Sequence, residues 1–406
     1  EILDALPEEI WRNPDSKFLD PVSKTGVFLR EITTRLDEGL KDIMPDKGQR
    51  INHILKKQIF GISLTELTSL VSRRTVYCSK FANGKYSICD EFDNEDGNIR
   101  FNEKVKHSWK DGTCKFCGVS KEIFDRDPTL ESHAYEFIHT TSPEEIFNMK
   151  FDVIIGNPPY QMDTAGHGRQ AKPIYHLFVQ QAKKLEPNYL IMITPSRWFS
   201  GGMGLDKYRA EMLSDRRIRK IKDFTNSKDC FPGVSISGGV SYFLWDKNYD
   251  GEGEFVSLHN GSESSLKRSL NELPLLIRYN EALTIIKAIR NKSTKNISEL
   301  VSPINVFNLS SSFRGDTSTS SKSDIAVYHS KGKGYMERSH LTSGIGILDK
   351  YKVVVSRTIS EHAGEPGKDG TFKVLAKSLL LKPGEVCTHS YLVIAAFDDF
   401  KKANST

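Results

Sequence analysis

The stretch FDVIIGNPPY, residues 151–160, decides how the rest of the chain is interpreted. Its first six residues form an apolar, β-branched run that ends in glycine, which predicts a buried strand. Such a strand delivers Asn157 and Tyr160 to the carboxyl edge of a sheet, where ligands bind in open α/β folds. The two prolines between them have a fixed φ and no N–H group, so this backbone is stiff and offers only carbonyl acceptors. Acceptors beside a flat aromatic ring suit an amino group on a planar heterocycle.

Residues 157–160 resemble the catalytic motif of DNA methyltransferases that modify the exocyclic amino group of adenine. The resemblance implies that the Asn157 side chain and the Pro158 carbonyl accept hydrogen bonds from the target amine, with Pro159 in the same motif. It also implies that Tyr160 stacks on a base that is flipped out of the duplex. The alternative is a strand-to-loop turn that happens to contain two prolines.

Residues 18–29, FLDPVSKTGVFL, predict the end of a strand, a tight loop and the start of a helix. Gly26 can take a positive φ there and lets a ligand approach the backbone. The segment resembles the loop that holds S-adenosylmethionine in these methyltransferases, whereas a simple strand-to-helix turn is the alternative. The matching positions are Asp20, Pro21, Gly26 and Phe28. Lys24 stands where the family usually has its first glycine.

Two further segments resemble the family less closely. Residues 56–63 predict the second strand, and Ser63 lies where the family has an acid for the cofactor ribose. Glu66 is the candidate for that carboxylate, with a plain acid at a helix N-terminus as the alternative. Residues 134–139 predict a third strand, and His139 occupies the region where many relatives place an Asp for the cofactor's adenine.

From about residue 75 to residue 132 the chain is polar and carries four of its six cysteines. A Cys-x-x-Cys-Gly turn at residues 114–118 is a common half of a structural zinc site. The predicted ligands are Cys78, Cys89, Cys114 and Cys117. His107 is the substitute if one of the first two is not a ligand, and four reduced thiols are the alternative. A metal would explain how so polar an insertion folds, and no thioredoxin-like pattern supports a redox role.

The family also implies an aromatic residue before the hairpin at residues 238–244, which helps to sandwich the flipped base. Phe231 is the candidate, with ordinary core packing as the alternative. Beyond residue 250 the chain resembles the target-recognition domains of TaqI-like and type IIG methyltransferases, notably at residues 385–391. Such domains read base edges with loop side chains. The candidate loop cations are Arg314, Lys331, Lys333, Arg357 and Lys368, with an ordinary surface charge as the alternative for each.

Bulk properties are compatible with this interpretation. The chain has 406 residues, 38% of them hydrophobic and 27% charged, which is enough for two domains with full cores. No apolar run reaches membrane-span length and no signal peptide is visible, so no membrane partner is expected. Six cysteines do not form a secreted disulfide framework, which favours a reducing cytoplasm. The first ten residues predict a helix without a start methionine, so we expect a piece of a longer protein.

The order of cofactor loop, catalytic motif and recognition domain is that of the gamma class of amino-methyltransferases. The predicted fold is therefore α/β, with a Rossmann-like S-adenosylmethionine-dependent methyltransferase domain over residues 1–249 and a mixed α+β DNA target-recognition domain, truncated, over residues 250–406. The implied activity is methylation of adenine N6 in double-stranded DNA, with the adenine flipped, as the modification part of a restriction–modification system. A restriction endonuclease domain or subunit would lie outside this chain.

Other classes stay open at this point. One is a DNA-binding specificity module whose methylation has decayed, motivated by Lys24, Ser63 and His139. Another is a fragment of a bifunctional restriction enzyme. A methyltransferase for RNA or for protein amides is a weaker alternative, because related motifs act there too.

Overall fold

The computed structural model describes residues 1–125, 133–162, 172–200, 204–292, 296–318, 324–357 and 378–405. The chain divides into two compact units, Glu1–Asn280 and Glu281–Thr406. This division lies later than the predicted boundary between residues 249 and 250, because a hairpin over residues 253–268 continues the sheet of the first unit. Within the described ranges no helix is long and apolar enough to cross a bilayer.

The first unit is built on one nine-stranded sheet. In chain order its strands are β1 (Phe18–Ser23), β2 (Ile59–Ser63), β3 (Ile99–Arg100), β4 (Trp109–Lys110), β5 (Thr113–Cys114), β6 (Val153–Gly156), β7 (Gln161–Met162), β8 (Lys172–Pro173), β9 (Tyr189–Pro195), β10 (Ile218–Phe224), β11 (Val240–Asp246), β12 (Gly253–His259) and β13 (Ser262–Arg268). The large sheet has the order β13-β12-β10-β11-β9-β6-β1-β2-β3. The pairs β4–β5 and β7–β8 form two small separate hairpins.

The helices of this unit precede or follow the strands of the sheet. They are α1 (Val27–Gly39), α2 (Lys47–His53), α3 (Glu66–Tyr77), α4 (Lys121–Phe124), α5 (Tyr175–Lys184) and α6 (Asp206–Ser214). Single 3₁₀ turns lie at Ile2–Ala5, Glu8–Arg12, Glu136–Ile138, Pro143–Ile146, Ser196–Phe199 and Ser227–Asp229, and a π-helical turn lies at Ile54–Gln58.

The strand order reverses between β1 and β6. From β1 the chain moves outward to β2 and then to β3, whereas from β6 it moves the other way to β9, and all these neighbours are parallel. On the far side, β11 lies antiparallel between β9 and β10. The α/β class predicted from the sequence is confirmed, and the topological switch point lies where β1 and β6 end.

Helices cover both faces of the sheet, as the burial of strand β6 illustrates. All four of its residues are buried. Ile154 packs in one apolar cluster with Phe178 of α5, and Ile155 packs in another with Ile32 of α1. Alternate side chains of a strand point to opposite faces, so a strand covered on both sides has a continuous apolar sequence.

The predicted third strand at residues 134–139 is wrong. This segment is a loop that contains a 3₁₀ turn at Glu136–Ile138, and β3 takes the edge position beside β2 instead. Phe137 and Ile138 are neighbours in sequence, yet both pack into the same apolar cluster, which the alternation of a strand would not allow. The polar insertion is likewise less separate than expected, because Cys114, Val119 and Phe124 join that cluster.

The second unit contains two three-stranded sheets. Its strands are β14 (Asp324–His329), β15 (Gly332–Glu337), β16 (Tyr351–Ser356), β17 (Ser378–Leu381), β18 (Glu385–Cys387) and β19 (Tyr391–Phe397), and its helices are α7 (Asn280–Lys292), which begins at the boundary, α8 (Ile345–Leu348) and α9 (Phe400–Asn404). Two 3₁₀ turns lie at Ile297–Glu299 and Arg338–His340. The sheets have the orders β15-β14-β18 and β17-β16-β19. Val327 and Val354, one from each sheet, share a single core with Phe307.

A buried lysine holds the turns of this second unit together. Lys352 Nζ lies within 2.7–3.3 Å of four backbone carbonyl oxygens, those of Ile347, Leu348, Lys350 and Lys382. Burial lowers the pKa of Lys352 to about 8. The carbonyls supply the acceptors that a buried ammonium group requires.

In the first unit, a buried ion pair ties the end of β10 to the segments around it. Asp223 is fully buried and accepts two hydrogen bonds from Arg278, at 2.7 and 2.8 Å. Ser196 Oγ donates to the same carboxylate at 2.6 Å. The carboxylate therefore connects β10, the turn after β9 and the chain before α7.

Replacement of Asp223 by alanine tests this network. The change leaves the Arg278 guanidinium and the Ser196 hydroxyl without their acceptor, so the free energy of unfolding is expected to fall by about 3–5 kcal/mol. Urea denaturation followed by circular dichroism measures the loss. The control is Asp250→Ala, because the ion pair of Asp250 with Arg216 is exposed. An equal loss in both variants would show that the buried network has no special role.

Candidate functional site

The candidate site lies at the carboxyl ends of β1 and β6, where the strand order reverses. Ligands of open α/β sheets bind in the crevice at such a point. Gly156 ends β6, and a Cβ atom there would lie 2.7 Å from Val22 Cγ2 and 3.4 Å from Asp20 Oδ1. Only glycine lets the carboxyl ends of β1 and β6 approach this closely. The structure therefore brings the segment of Asp20 and the segment of Asn157 together.

The residues after β6 present buried polar atoms. Asn157 Oδ1 and the Tyr160 hydroxyl are buried, and neither has a partner in good hydrogen-bond geometry among the described residues. The Tyr160 carbonyl accepts a hydrogen bond of 3.3 Å from the Ile174 N–H group, which holds the backbone of this loop. Burial raises the pKa of Tyr160 above its ordinary value, and the adjacent Asn157 side chain lowers it less, so the Tyr160 hydroxyl stays neutral. Of the two prolines between Asn157 and Tyr160 in the sequence, Pro158 is buried and Pro159 is half-buried.

A cavity of about 290 Å³ opens beside Tyr160. Its walls include Gln161 of β7, Tyr175 of α5, Arg197 after β9, and Ile236. The volume is near the lower end of the range for small-molecule pockets. Two aromatic residues in its lining suit a flat, partly apolar ligand.

One of these lining residues, Tyr175, was not singled out from the sequence. Tyr175 is buried at the start of α5, and its hydroxyl has no partner in the described part of the chain. Burial raises the pKa of Tyr175, and the nearby Arg197 guanidinium lowers it less. Nothing in the local pattern around Tyr175 could have found it, whereas Arg197 follows a recognisable buried strand.

Phe231 lies close to this region but does not line the cavity among the described residues. It is half-buried and packs against the apolar cluster that contains Phe224 and Tyr242. Ile236 is the nearby apolar residue that reaches the cavity wall. A role for Phe231 in base stacking stays a prediction.

The loop after β1 leads directly into α1. Gly26 precedes the helix with φ +71°, and a Cβ atom there would lie 2.8 Å from Ser72 Oγ and 3.0 Å from the Ser72 carbonyl oxygen. The Ser23 and Ser72 hydroxyls form a buried hydrogen bond of 2.7 Å. Gly26 is thus required both for its backbone conformation and for the contact of this loop with α3. Of the other predicted residues here, Pro21 is buried within β1 and Phe28 is half-buried in α1.

The end of β2 presents a hydroxyl rather than a carboxylate. Ser63 is buried, and its Oγ atom has no partner among the described residues. Glu66 is exposed in the first turn of α3, whose N-cap is Thr65. Thr65 and Thr68 form a capping box that satisfies the first N–H groups of this helix.

Asp20 is the most perturbed acid of the site. It is 3% exposed and accepts a hydrogen bond of 3.0 Å from the Val22 N–H group. Burial raises the pKa of Asp20 from 3.8 to about 7, and the Val22 N–H group and the Lys24 ammonium lower it less. Burial also lowers the pKa of Lys24, which Asp20 partly offsets. Acids with strongly perturbed pKa values are common at functional sites.

A second cluster contains cysteine and histidine. The ligand atoms of His107, Cys114, Cys117 and His139 all lie within 4.8 Å of one another. Of the predicted zinc ligands, the structure brings together Cys114 and Cys117, with His107 as the expected substitute. His139 completes the set.

The prediction that Cys78 and Cys89 belong to this set is wrong. Cys78 is exposed and ends α3 with φ 61°. Cys89 is buried in the apolar cluster on the α1 side of the sheet, whereas Cys114 and Cys117 belong to the cluster on the α5 side. The sheet therefore separates Cys89 from the pair.

Replacement of Gly26 by alanine tests the contact of the loop with α3. Gly261 provides a matched control, because its φ is +76° but no atom lies within 4 Å of a Cβ placed there. The control measures the cost of the left-handed conformation alone, about 1–2 kcal/mol. Gly26→Ala is expected to lower the free energy of unfolding, measured in urea, by more than the control does. Equal losses would show that Ser72 gives way without cost.

Because the pKa of Asp20 is raised, the free energy of unfolding should depend on pH. The unfolded chain loses this proton near a pKa of 3.8, whereas the folded chain keeps it up to a pKa of about 7. The contribution of Asp20 to the free energy of unfolding should therefore fall by up to about 1.4 kcal/mol per pH unit between these values, and no further above them. Urea denaturation of Asp20→Asn should lack this fall, whereas the exposed control Asp93→Asn should keep it. Identical profiles for wild type and Asp20→Asn would contradict the assignment.

Comparison with known proteins identifies relatives of the region that carries this site. Residues 57–231 match the family model of the Eco57I restriction-modification methylases. The chain is 42% identical over 277 residues to an uncharacterized adenine-specific methylase of Mycoplasma pneumoniae. The aligned residues make up 62% of this chain and 66% of that protein. The chain thus spans slightly less than two thirds of the length of this relative.

Among solved structures, the chain is similar to the ATP-dependent type ISP restriction-modification enzyme LlaBIII bound to DNA. The identity is 13% and the TM-score 0.49, over 95% of this chain and 32% of that one. It is also similar to the type IIL restriction-modification enzyme MmeI in complex with DNA, with 11% identity and a TM-score of 0.46, over 95% of this chain and 59% of that one.

The family match spans β2, the Cys/His cluster, β6 and the loop that carries Asn157 and Tyr160. Together with the 42% identical methylase it confirms the resemblance that residues 157–160 indicated. Residues 57–231 of this chain are therefore similar to the Eco57I restriction-modification methylases.

Proposed function

We propose that this chain is the catalytic part of a site-specific DNA methyltransferase. It transfers a methyl group from S-adenosylmethionine to the N6 amino group of adenine, as the modification part of a restriction–modification system. The observation that carries the proposal is the position of Asn157. Its Oδ1 atom is a buried acceptor without a partner among the described residues, at the switch point of the sheet and next to a cavity whose wall includes Tyr160.

Asn157 and Pro158 supply the acceptors that the reaction needs. When an amine nitrogen attacks a methyl group, positive charge develops on the nitrogen and its N–H groups become stronger donors. Carbonyl oxygens held in place for these groups stabilise that charge without reorganisation. They also orient the nitrogen for in-line attack, and such positioning accounts for a large part of the rate of many enzymes.

Tyr160 and Tyr175 supply the walls for a planar base. An adenine inside a duplex cannot reach Asn157, so it must leave the base stack. The aromatic side chains of the cavity replace part of the lost stacking, which is worth about 1–3 kcal/mol per base. A restricted cavity of about 290 Å³ suits one base and excludes a base pair.

The residues at the ends of β1 and β2 fit S-adenosylmethionine. Gly26 leaves the start of α1 without a side-chain cap, Ser63 Oγ is a buried hydroxyl without a described partner, and Asp20 lies on β1, between the strands β2 and β6. When bound, the cofactor supplies an electrophilic methyl group on a sulfonium. We propose that its binding rests on Asp20, Pro21, Gly26, Phe28 and Glu66, and we add Ser63 because its buried Oγ has no described partner. A structural zinc ion is the second group that we propose for this protein.

For the second unit we propose DNA target recognition. Of the candidate cations, Lys333 Nζ lies 3.2 Å from Glu385 Oε1, and Arg357 donates to the His389 carbonyl at 3.2 Å. Arg314 donates to the carbonyls of Ser311 and Phe313. Lys331 is exposed in the turn between β14 and β15, and Lys368 lies outside the described residues. Double-stranded DNA is the proposed partner, and a restriction endonuclease domain or subunit is a further one.

The alternative is a DNA-binding specificity module without methylation. Lys24 favours it, because this half-buried side chain lies in the cofactor loop, close enough to Asp20 for their charges to interact. An ammonium group there would compete with a cationic sulfonium for the same carboxylate. Titration of the protein with S-adenosylmethionine in a calorimeter separates the two functions, because the module should not bind it.

Replacement of Asn157 by alanine tests the proposed enzyme. Transfer of labelled methyl from S-adenosylmethionine to adenine in mixed-sequence duplex DNA is expected to fall at least about 100-fold, the usual cost of one lost electrostatic contact in a transition state. The affinity for S-adenosylmethionine and the free energy of unfolding should change little, because Asn157 Oδ1 has no described partner to lose.

The control is Asn248→Ala, since Asn248 is exposed and distant in sequence from the motif. It should keep wild-type transfer. If Asn157→Ala transfers label as fast as Asn248→Ala, the assigned role of the motif is incorrect. If the wild type binds no cofactor, the specificity module becomes the better function.

A further inference from the structure

His107, Cys114, Cys117 and His139 bring four possible metal-ligand atoms within 4.8 Å of one another. We propose that these four side chains bind one Zn²⁺ ion, and that this ion holds the wall of the cavity beside Tyr160. Neither the family match nor the relative assigns a metal to this chain. The ligand set also differs from the four thiolates that the cysteine spacing predicted.

The distances within the cluster fit zinc. A tetrahedral ion with Zn–N of about 2.0–2.1 Å and Zn–S of about 2.3 Å holds neighbouring nitrogens about 3.3 Å apart and nitrogen and sulfur about 3.6 Å apart. His107 Nδ1 lies 3.1 Å from His139 Nε2 and 3.5 Å from Cys117 Sγ. Two sulfurs and two imidazole nitrogens in this geometry favour Zn²⁺ over metals that prefer oxygen ligands or planar sites.

The orientation of His139 is fixed by a hydrogen bond outside the cluster. Its Nδ1 atom lies 2.9 Å from the Tyr135 carbonyl oxygen, to which it donates. The Nε2 lone pair then points at the other three ligand atoms. Histidine ligands of metals usually donate their second N–H group to a carbonyl or a carboxylate in this way.

The two cysteines lie on a tight turn that presents both sulfurs to one side. The Gly118 N–H group donates to the Cys114 carbonyl at 2.8 Å, and Gly118 has φ +67°. The Cys114 N–H group donates to the Val119 carbonyl at 2.9 Å, and β4 pairs with β5 just before the turn. Both cysteines are buried, at 2% and 3% exposure, so the thiolates would be shielded from solvent.

The cluster is connected to the cavity in two ways. Lys172 of β8 donates from Nζ to the Gly118 carbonyl at 3.1 Å, and β8 pairs with β7, which directly follows Tyr160. Gln181 of α5 is buried and donates to carbonyls on both sides of His139, those of Phe137 at 3.0 Å and Thr140 at 2.9 Å. Because α5 begins at Tyr175 and β7 begins at Gln161, both connections end at residues of the cavity wall.

The first experiment measures zinc directly. The protein is purified without a polyhistidine tag from medium with added zinc, and its metal content is determined by mass spectrometry. About one zinc ion per chain is expected, and at least about tenfold less in Cys117→Ser. The control Cys89→Ser places the same hydroxyl at a cysteine that is 0% exposed, and it should keep the ion. Wild-type protein without zinc, or equal loss in Cys89→Ser, would overturn the site.

If Cys117→Ser does not fold, the wild-type protein still decides the question. Zinc is exchanged for Co²⁺, and the visible spectrum is recorded. A tetrahedral site with two thiolates gives strong d–d bands and a thiolate-to-metal charge-transfer band. Their absence, or a disulfide between Cys114 and Cys117 in the protein as purified, would exclude the zinc site.

An effect of the zinc ion on base binding would rest on the proposed function. The connection between the ion and the cavity wall does not, and hydrogen–deuterium exchange tests it independently of methyl transfer. Removal of zinc with a chelator should accelerate amide exchange in residues 135–142 and 172–184. The helix Val27–Gly39, on the other face of the sheet, should keep its rate. Acceleration everywhere, or none in residues 172–184, would show that the ion does not hold the cavity wall.

Discussion

The complete burial of β6 is the constraint on which the rest of the first unit depends. A strand covered on both faces must pair all its backbone groups with neighbouring strands and place apolar side chains on both sides. It does so between β1 and β9, with Ile154 and Ile155 in different clusters. Gly156 then allows the side chains of Val22 and Asp20, at the end of β1, to approach closely. Asn157 is therefore held by a rigid strand end, which positions a side chain better than a loop does.

The buried polar groups of the protein follow two different patterns. Asp223 and Lys352 have charged or carbonyl partners around them, so they stabilise their surroundings. At the sheet edge, Asn157 Oδ1, Ser63 Oγ and the Tyr175 hydroxyl have no described partner. Each such atom costs about 1–3 kcal/mol. A ligand that supplies the matching groups would recover that free energy, which is how a folded chain can be prepared for a substrate in advance.

The Cys/His cluster explains a departure from the family resemblance. His139 lies where many relatives place an acid for the cofactor, and the structure directs its side chain to His107 and the cysteine turn instead. The insertion is therefore not a separate polar lobe. Its cysteines, Val119 and Phe124 pack into the core that also contains Phe178 of α5, and its hydrogen bonds reach the elements around the cavity.

The sequence by itself determined the α/β class, β6, the loop between β1 and α1, and the position of residues 157–160 at the end of β6, because each depends on local patterns: a continuous apolar run, a glycine before a helix, and two consecutive prolines. Only the tertiary structure decided which distant residues meet. The spacing of Cys78 and Cys89 said nothing of the sheet that separates Cys89 from Cys114, and no local pattern marks His139 or Tyr175. Polar groups far apart in the chain become neighbours through the packing of apolar faces, and that packing is a property of the whole fold.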